Sequence, residues 1–197
     1  MIKRLLAFAF MLCVSISASA QTAKFSAGVK GIGVMNNMDI GLSAIGGGGG
    51  LFAGIRVANV VGLQGEVLYA STYGREDYQV GNSLRTLSLA HNHLLVPVVA
   101  QLWCGRNVAL EAGYQQAIVV SGTLSSSRFE KEDTGMFDYG SVIAGINFNL
   151  GKVVTLGARY AYGLDYAYIA TKEPSKSHSV QVGLGFRFMT TRKTIFR

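Results

Sequence analysis

Charge is scarce in this chain of 197 residues. Asp, Glu, Lys and Arg together make up 15%, against roughly 25% in soluble domains. Long apolar runs are scarce as well. Past residue 20, no segment approaches the roughly 20 continuous apolar residues that a membrane-spanning helix requires. Cysteine is limited to Cys13 and Cys104, and Cys13 lies in a segment expected to be removed. That excludes an intrachain disulfide in the mature chain and leaves Cys104 as a small apolar side chain. The formal net charge of +7 is scattered, with no basic cluster interleaved with aromatics. Nucleic acid is therefore not an expected partner. Against these shortages stand 25 glycines, nine tyrosines and ten phenylalanines, with two prolines.

The first twenty residues read as a processing signal. Lys3 and Arg4 precede an apolar run of twelve residues, Leu5 to Ile16, and Ala18-Ser19-Ala20 follows. A positive start, a short apolar stretch and a small-x-small triplet are what signal peptidase reads, so cleavage is expected before Gln21. Leu12 before Cys13, and the apolar run continuing beyond it, do not fit lipidation of that cysteine. Removing 20 of the 197 residues leaves 177, and loss of Lys3 and Arg4 lowers the net charge to +5. That length suits one domain.

The mature chain alternates with period two, the signature of strands. Val180, Val182, Leu184, Phe186 and Phe188 alternate with Gln181, Gly183, Gly185 and Arg187. Similar segments lie near Leu63–Tyr69, Val108–Tyr114, Val142–Phe148 and Val154–Tyr162, with less regular ones over 24–35, 47–58 and 87–104. Pro97 cannot donate to a ladder, so a bulge or local break is expected there. Eight strands result. Their connections alternate between long (36–46, 74–85, 121–135, 170–177) and short (near Asn59, Gly105–Asn107 and Leu150–Gly151). A closed barrel satisfies its backbone within lipid without a helix, and outer-membrane barrels pair short periplasmic turns with long external loops. The predicted fold is an all-β, eight-stranded antiparallel up-and-down transmembrane barrel. Residues 1–20 are the expected signal peptide, 21–189 the barrel and 190–197 a short periplasmic tail. Both termini are expected on the periplasmic side of the outer membrane.

A soluble lipocalin-type barrel would share this period with its apolar face inward. Three features favour lipid. The polar parity is rich in Gly, Ser and Gln and poor in charge, as a crowded interior requires. Its charges have both signs, Lys30, Arg56, Arg159 and Arg187 against Glu66 and Glu111, and are expected to pair in the lumen. Aromatics gather toward strand ends, with Tyr69, Tyr162, Tyr166, Trp103 and Phe148 expected at the two membrane interfaces.

Five segments carry a family resemblance. They are Gly62-Leu63-Gln64-Gly65-Glu66-Val67-Leu68-Tyr69, Leu94-Leu95-Val96-Pro97-Val98, Leu110-Glu111-Ala112-Gly113, Phe137-Asp138-Tyr139-Gly140, and Ala158-Arg159-Tyr160 with Tyr162-Gly163-Leu164. In this order, from about Phe25 to Phe188, the chain resembles the PorT-like outer-membrane β-barrel domain family. Where that family often has Tyr and Glu around the Pro segment, this chain has His93 and Leu95. The resemblance implies an envelope barrel and allows a part in secretion or envelope assembly. The last strand also resembles the signal read by the barrel-assembly machinery, in Gln181, Gly183, Phe186 and Phe188, which strand addition would capture.

Motifs for chemistry are thin. His91 and His93 share a parity, but no Asp, Glu or Cys lies beside them, so no metal site is expected. His178 and Ser179 lack an orienting partner for nucleophilic work. Gly46 to Gly50 lacks the Lys-Ser/Thr and following helix of a phosphate loop, and reads as a flexible approach to the second strand. Arg128 to Asp133 reads as a solvated external loop and a contact surface. The expected function is an integral outer-membrane barrel with a side-chain-filled lumen, acting through external loops or an envelope protein partner. No cofactor is expected. The alternatives are a lipid-modifying enzyme and an envelope secretion or assembly factor. Expected partners are outer-membrane lipid and, during biogenesis, the barrel-assembly machinery.

Overall fold

The computed structural model describes residues 22–38, 43–80, 83–126, 129–133, 138–168 and 174–194. The expected signal peptide, residues 1–20, lies outside them. The strands are β1 (Thr22–Met38), β2 (Ser43–Val57), β3 (Val61–Val80), β4 (Ser83–Cys104), β5 (Val108–Ser126), β6 (Phe129–Asp133), β7 (Tyr139–Leu150), β8 (Val154–Tyr168) and β9 (Pro174–Thr194). Every pairing is antiparallel. From β1 to β6 each strand pairs with the next along the chain, β7 pairs with β5 and then β8, β8 pairs with β9, and β9 returns to β1. The sheet is thus a closed barrel. β6 and β7 are two pieces of one staff: Thr123 pairs with Asp133 and Ala117 with Tyr139, six residues further along each strand. The barrel therefore has eight staves, and closure removes the open edges that would otherwise need covering.

Three tight connections, 58–60, 105–107 and 151–153, lie at the end that also carries Thr22 and Thr194. This is called the terminal end here. Gly105 and Gly151 both have φ of +82°, a left-handed conformation that glycine adopts without steric cost. The opposite end differs from the sequence expectation. The ladder of β3 and β4 continues to Val80 and Ser83, where a loop over 74–85 was expected. β5 runs to Ser126 and pairs with β6, so the segment expected as a solvated loop, 128–133, is largely strand. The glycines Gly46 to Gly50 lie within β2 and pair with both neighbours, rather than leading up to it.

One further boundary is corrected. The expected tail from residue 190 continues β9: Thr190, Thr191, Arg192, Lys193 and Thr194 pair with the start of β1. Without them the first turn of β1 would present an unpaired edge. The one irregularity of this seam falls between Ala27 and Gly28. At Pro97 the β3–β4 register is unshifted and the β5 side is continuous. The expected local break is present on the β3 side, where pairing skips from Gly65–Val98 to Leu68–Leu95. The bulge of this strand lies instead at Asn92/His93, on the β5 side.

The parity of the faces is clear. Val182, Leu184 and Phe186 are 52%, 43% and 48% exposed, while Glu66 and Arg159 are 2% and 5% exposed. Leu51, Leu63, Val67, Leu102, Leu110, Val142 and Leu156 join the outer apolar surface. An exposed apolar area this continuous needs an apolar solvent around it. The strands fold this way because alternation places each segment's aliphatic set on one face.

Candidate functional site in the lumen

The lumen holds an ion-pair cluster at mid-height. Lys30 on β1, Glu66 on β3, Glu111 on β5 and Arg159 on β8 all point inward, and all are buried. Lys30 Nζ donates to Glu66 Oε1 at 3.0 Å and Oε2 at 3.1 Å. The Arg159 fork donates from Nη1 to Glu66 Oε2 at 2.9 Å and from Nη2 to Oε1 at 2.6 Å. Its Nε donates to Glu111 Oε2 at 2.7 Å. Arg159 thus reaches across the lumen to two carboxylates on the staves β3 and β5, which flank β4, with planar two-point geometry toward one of them.

Amide side chains complete the cluster. Gln64 Nε2 donates to Glu66 Oε1 at 2.6 Å. Gln101 Nε2 donates to Glu111 Oε1 at 2.7 Å and to Gln64 Oε1 at 3.1 Å, and Asn147 Nδ2 donates to Glu111 Oε1 at 3.0 Å. Two cations and two anions cancel, so the lumen buries no net charge here. Glycines on the same face leave room for the long side chains. A Cβ at Gly183 would lie 2.6 Å from Lys30 Cε, and one at Gly145 would lie 2.7 Å from Arg159 Cγ.

Toward the far end the lumen turns apolar. Ile32, Val34, Leu68, Ala70, Leu95, Ala117 and Tyr139 form one buried cluster. Sequence reading of β1 stopped at its polar inner residues and missed this layer, although Ile32 and Val34 continue the parity of Lys30. Beyond it, His91 and His93 stack with ring centroids 5.6 Å apart, and Tyr139 meets His93 edge-on at 6.0 Å. Among the described residues no group of three metal-ligating side chains occurs. His178 and Ser179 face opposite ways: Ser179 is buried in the lumen beside Gln181, whereas His178 Nδ1 pairs with the Tyr160 hydroxyl at 2.9 Å outside.

Arg56 and Arg187, expected in the same cluster, stand apart from it at the terminal end. Arg56 donates to the carbonyls of Asn59 and Gly105, and Arg187 Nη2 donates to Asn149 Oδ1 at 2.8 Å. Trp103 is a correction. Expected on the outer surface, it is 8% exposed and lies inside, with Arg56 Cζ 4.0 Å from its ring centroid. Its parity with Gln101 dictates this, and parity outweighs nearness to a strand end. Tyr69, Phe148 and Tyr162 are on the outer face; the side chain of Tyr166 lies outside the described residues. Of the expected assembly signal, Phe186 and Phe188 project outward, Gly183 sits under Lys30, and Gln181 Nε2 donates inward to Gln115 Oε1 at 3.1 Å.

A closed antiparallel barrel with an apolar outside and a paired polar inside is an integral membrane barrel. The outer membrane protein beta-barrel domain model matches residues 6–188, and the chain belongs to that family. It is an outer-membrane protein. No curated protein matches it in sequence. Among solved structures, Neisserial surface protein A is similar, with 16% identity and a TM-score of 0.52, covering 83% of this chain and 97% of that one. The attachment invasion locus protein of Yersinia pestis, Ail, solved with the heparin analogue sucrose octasulfate, shares 17% identity. Its TM-score is 0.45, with 84% of this chain and 99% of that one covered. At these identities the likeness concerns the fold.

Proposed function

We propose that this protein is a non-conducting, non-enzymatic barrel of the PorT-like kind, working in the envelope through its far-end hairpins or a protein partner. The observation that carries the reading is the filled lumen. The four-residue ion cluster lies beneath the apolar layer of Ile32, Leu68, Leu95 and Tyr139. An eight-stave barrel has an interior just wide enough for side chains, and a low-dielectric apolar layer opposes ion passage. Both termini face the periplasm in this reading, which puts the tight turns there and the extended hairpins outside. The outward aromatics Tyr69, Tyr162 and Phe148 then meet the two interfaces. Phe186 and Phe188 lie on the outer face of the last strand, which the barrel-assembly machinery would capture by strand addition. β3 and β4 have 20 and 22 residues, roughly twice the 9–11 that cross a bilayer. Their surplus extends the β3–β4 ladder beyond the lipid, a surface suited to contact. Single-channel recording on purified protein in planar bilayers tests the reading. It expects no steady conductance, and a stable open level of large conductance contradicts it.

A further inference from the structure

The terminal mouth of the barrel contains a cavity of about 480 Å³, within the roughly 300–1,000 Å³ typical of small-molecule sites. Five cationic side chains, Lys24, Arg56, Arg106, Lys152 and Arg187, line it together with the Trp103 indole. They come from five places in the sequence: the start of β1, the end of β2, the C-terminal half of β9 and the turns after β4 and β7. Antiparallel closure gathers them at one rim. No carboxylate appears among the described residues that line the cavity. The buried acids of the lumen cluster are already engaged: Glu111 accepts from Arg159, Gln101 and Asn147, and Glu66 from Lys30, Arg159 and Gln64.

The donors at this rim are incompletely used. Arg56 Nε, Arg187 Nε and Trp103 Nε1 are buried and have no protein acceptor. Trp103 itself is more than nine-tenths buried, and Arg56 lies over its ring, which fixes both side chains. Asn149 holds Arg187 from one side at 2.8 Å. Buried donors are normally satisfied, and unused arginine donors beside an indole N–H match an anion with several oxygen acceptors. We propose that this mouth is a binding site for a small polyvalent oxyanion, a phosphate ester or a polycarboxylate, entering from the terminal side. The inference is independent of conductance and of which way the barrel faces.

Trp103 is the sole tryptophan of the chain, so intrinsic fluorescence reads the site directly. The experiment titrates the full mature barrel, folded in octyl glucoside at low salt, with pyrophosphate and separately with citrate. A saturable change in Trp103 emission is expected with at least one of them, weakening as salt rises. Arg187→Gln is expected to raise the half-saturation concentration about tenfold, the loss of one charged hydrogen bond. Lys152→Gln, at an exposed turn position, serves as a variant that leaves the ladder untouched and is expected to weaken binding less. Heat-dependent gel migration verifies that each variant is folded. Preference for pyrophosphate assigns the site to the phosphate groups of a phosphorylated ligand, and preference for citrate assigns it to polycarboxylates. The inference is overturned by the absence of a saturable change with either anion. It is equally overturned if folded Arg187→Gln and Lys152→Gln titrate like the parent.

Discussion

Replacing Arg159 with methionine removes the one side chain that touches both lumen carboxylates. Three donors disappear, two on Glu66 and one on Glu111. Lys30 and Gln64 still serve Glu66, and Gln101 and Asn147 still serve Glu111. The balance of charge does not survive, since one cation then faces two anions. Breaking a buried pair costs about 3–5 kcal/mol because a charge is left uncompensated, whereas a solvent-exposed pair contributes about 0–1 kcal/mol. Arg159 and both carboxylates are almost fully buried, so the larger figure applies. At about 1.4 kcal/mol per factor of ten, the folded-to-unfolded ratio falls by roughly two to four orders of magnitude. The assay is equilibrium urea unfolding in lipid vesicles, followed by the fluorescence of Trp103 and by gel migration. Glu111→Gln in the Arg159→Met background restores neutrality and keeps an acceptor for Asn147. It is expected to recover part of the loss, with a coupling of about 0.5–3 kcal/mol. A single-variant cost under about 1 kcal/mol, with no coupling, would refute the claim that these groups form one dry cluster.

Other consequences are simpler to read. Leu184→Arg places a charge on the outer face at mid-strand and is expected to cost about 2–4 kcal/mol in vesicles, measured by the same unfolding experiment; a neutral result contradicts lipid contact there. Gly48→Ala drives a Cβ into the Tyr69 carbonyl of β3, while a Cβ at Gly65 meets nothing within 4 Å. The first is expected to destabilise by about 1–3 kcal/mol and the second to stay within about 0.5 kcal/mol. Equal effects on urea midpoints would show that β2 and β3 are not packed this closely. Asn107→Cys in a Cys104→Ser background tests orientation. A membrane-impermeant maleimide is expected to label it only after the outer membrane is permeabilised, and labelling of intact cells reverses the assignment of the terminal end to the periplasm.

The alternating segments of β7, β8 and β9 were legible because lipid on one side and a tight lumen on the other impose opposite demands on successive residues. Ion pairing was legible too, in that Lys30, Glu66, Glu111 and Arg159 are charges on a face otherwise made of Gly, Ser and Gln. What escaped notice has physical causes. Beyond Gly74 and Ser121 the period-two pattern is lost from the sequence, although the backbone ladder continues. The inner layer of Ile32, Val34, Leu68 and Leu95 puts aliphatic side chains on the same face as Lys30 and Glu66, so alternation of polar and apolar residues does not mark it. Trp103 was misplaced because position along a strand was weighed above the face it must occupy. The separation of Arg56 and Arg187 from the mid-lumen cluster depends on strand stagger, which alternation does not encode.

Depth-resolved quenching on alternate faces of β9 tests the central claim most directly. In a Trp103→Phe background, a single tryptophan is placed at Leu184 or at Gln181, and the barrel is folded into vesicles of brominated lipid. The account predicts strong quenching for Leu184→Trp and little for Gln181→Trp. Strong quenching at Gln181 with a protected Leu184 would mean that the apolar set faces inward.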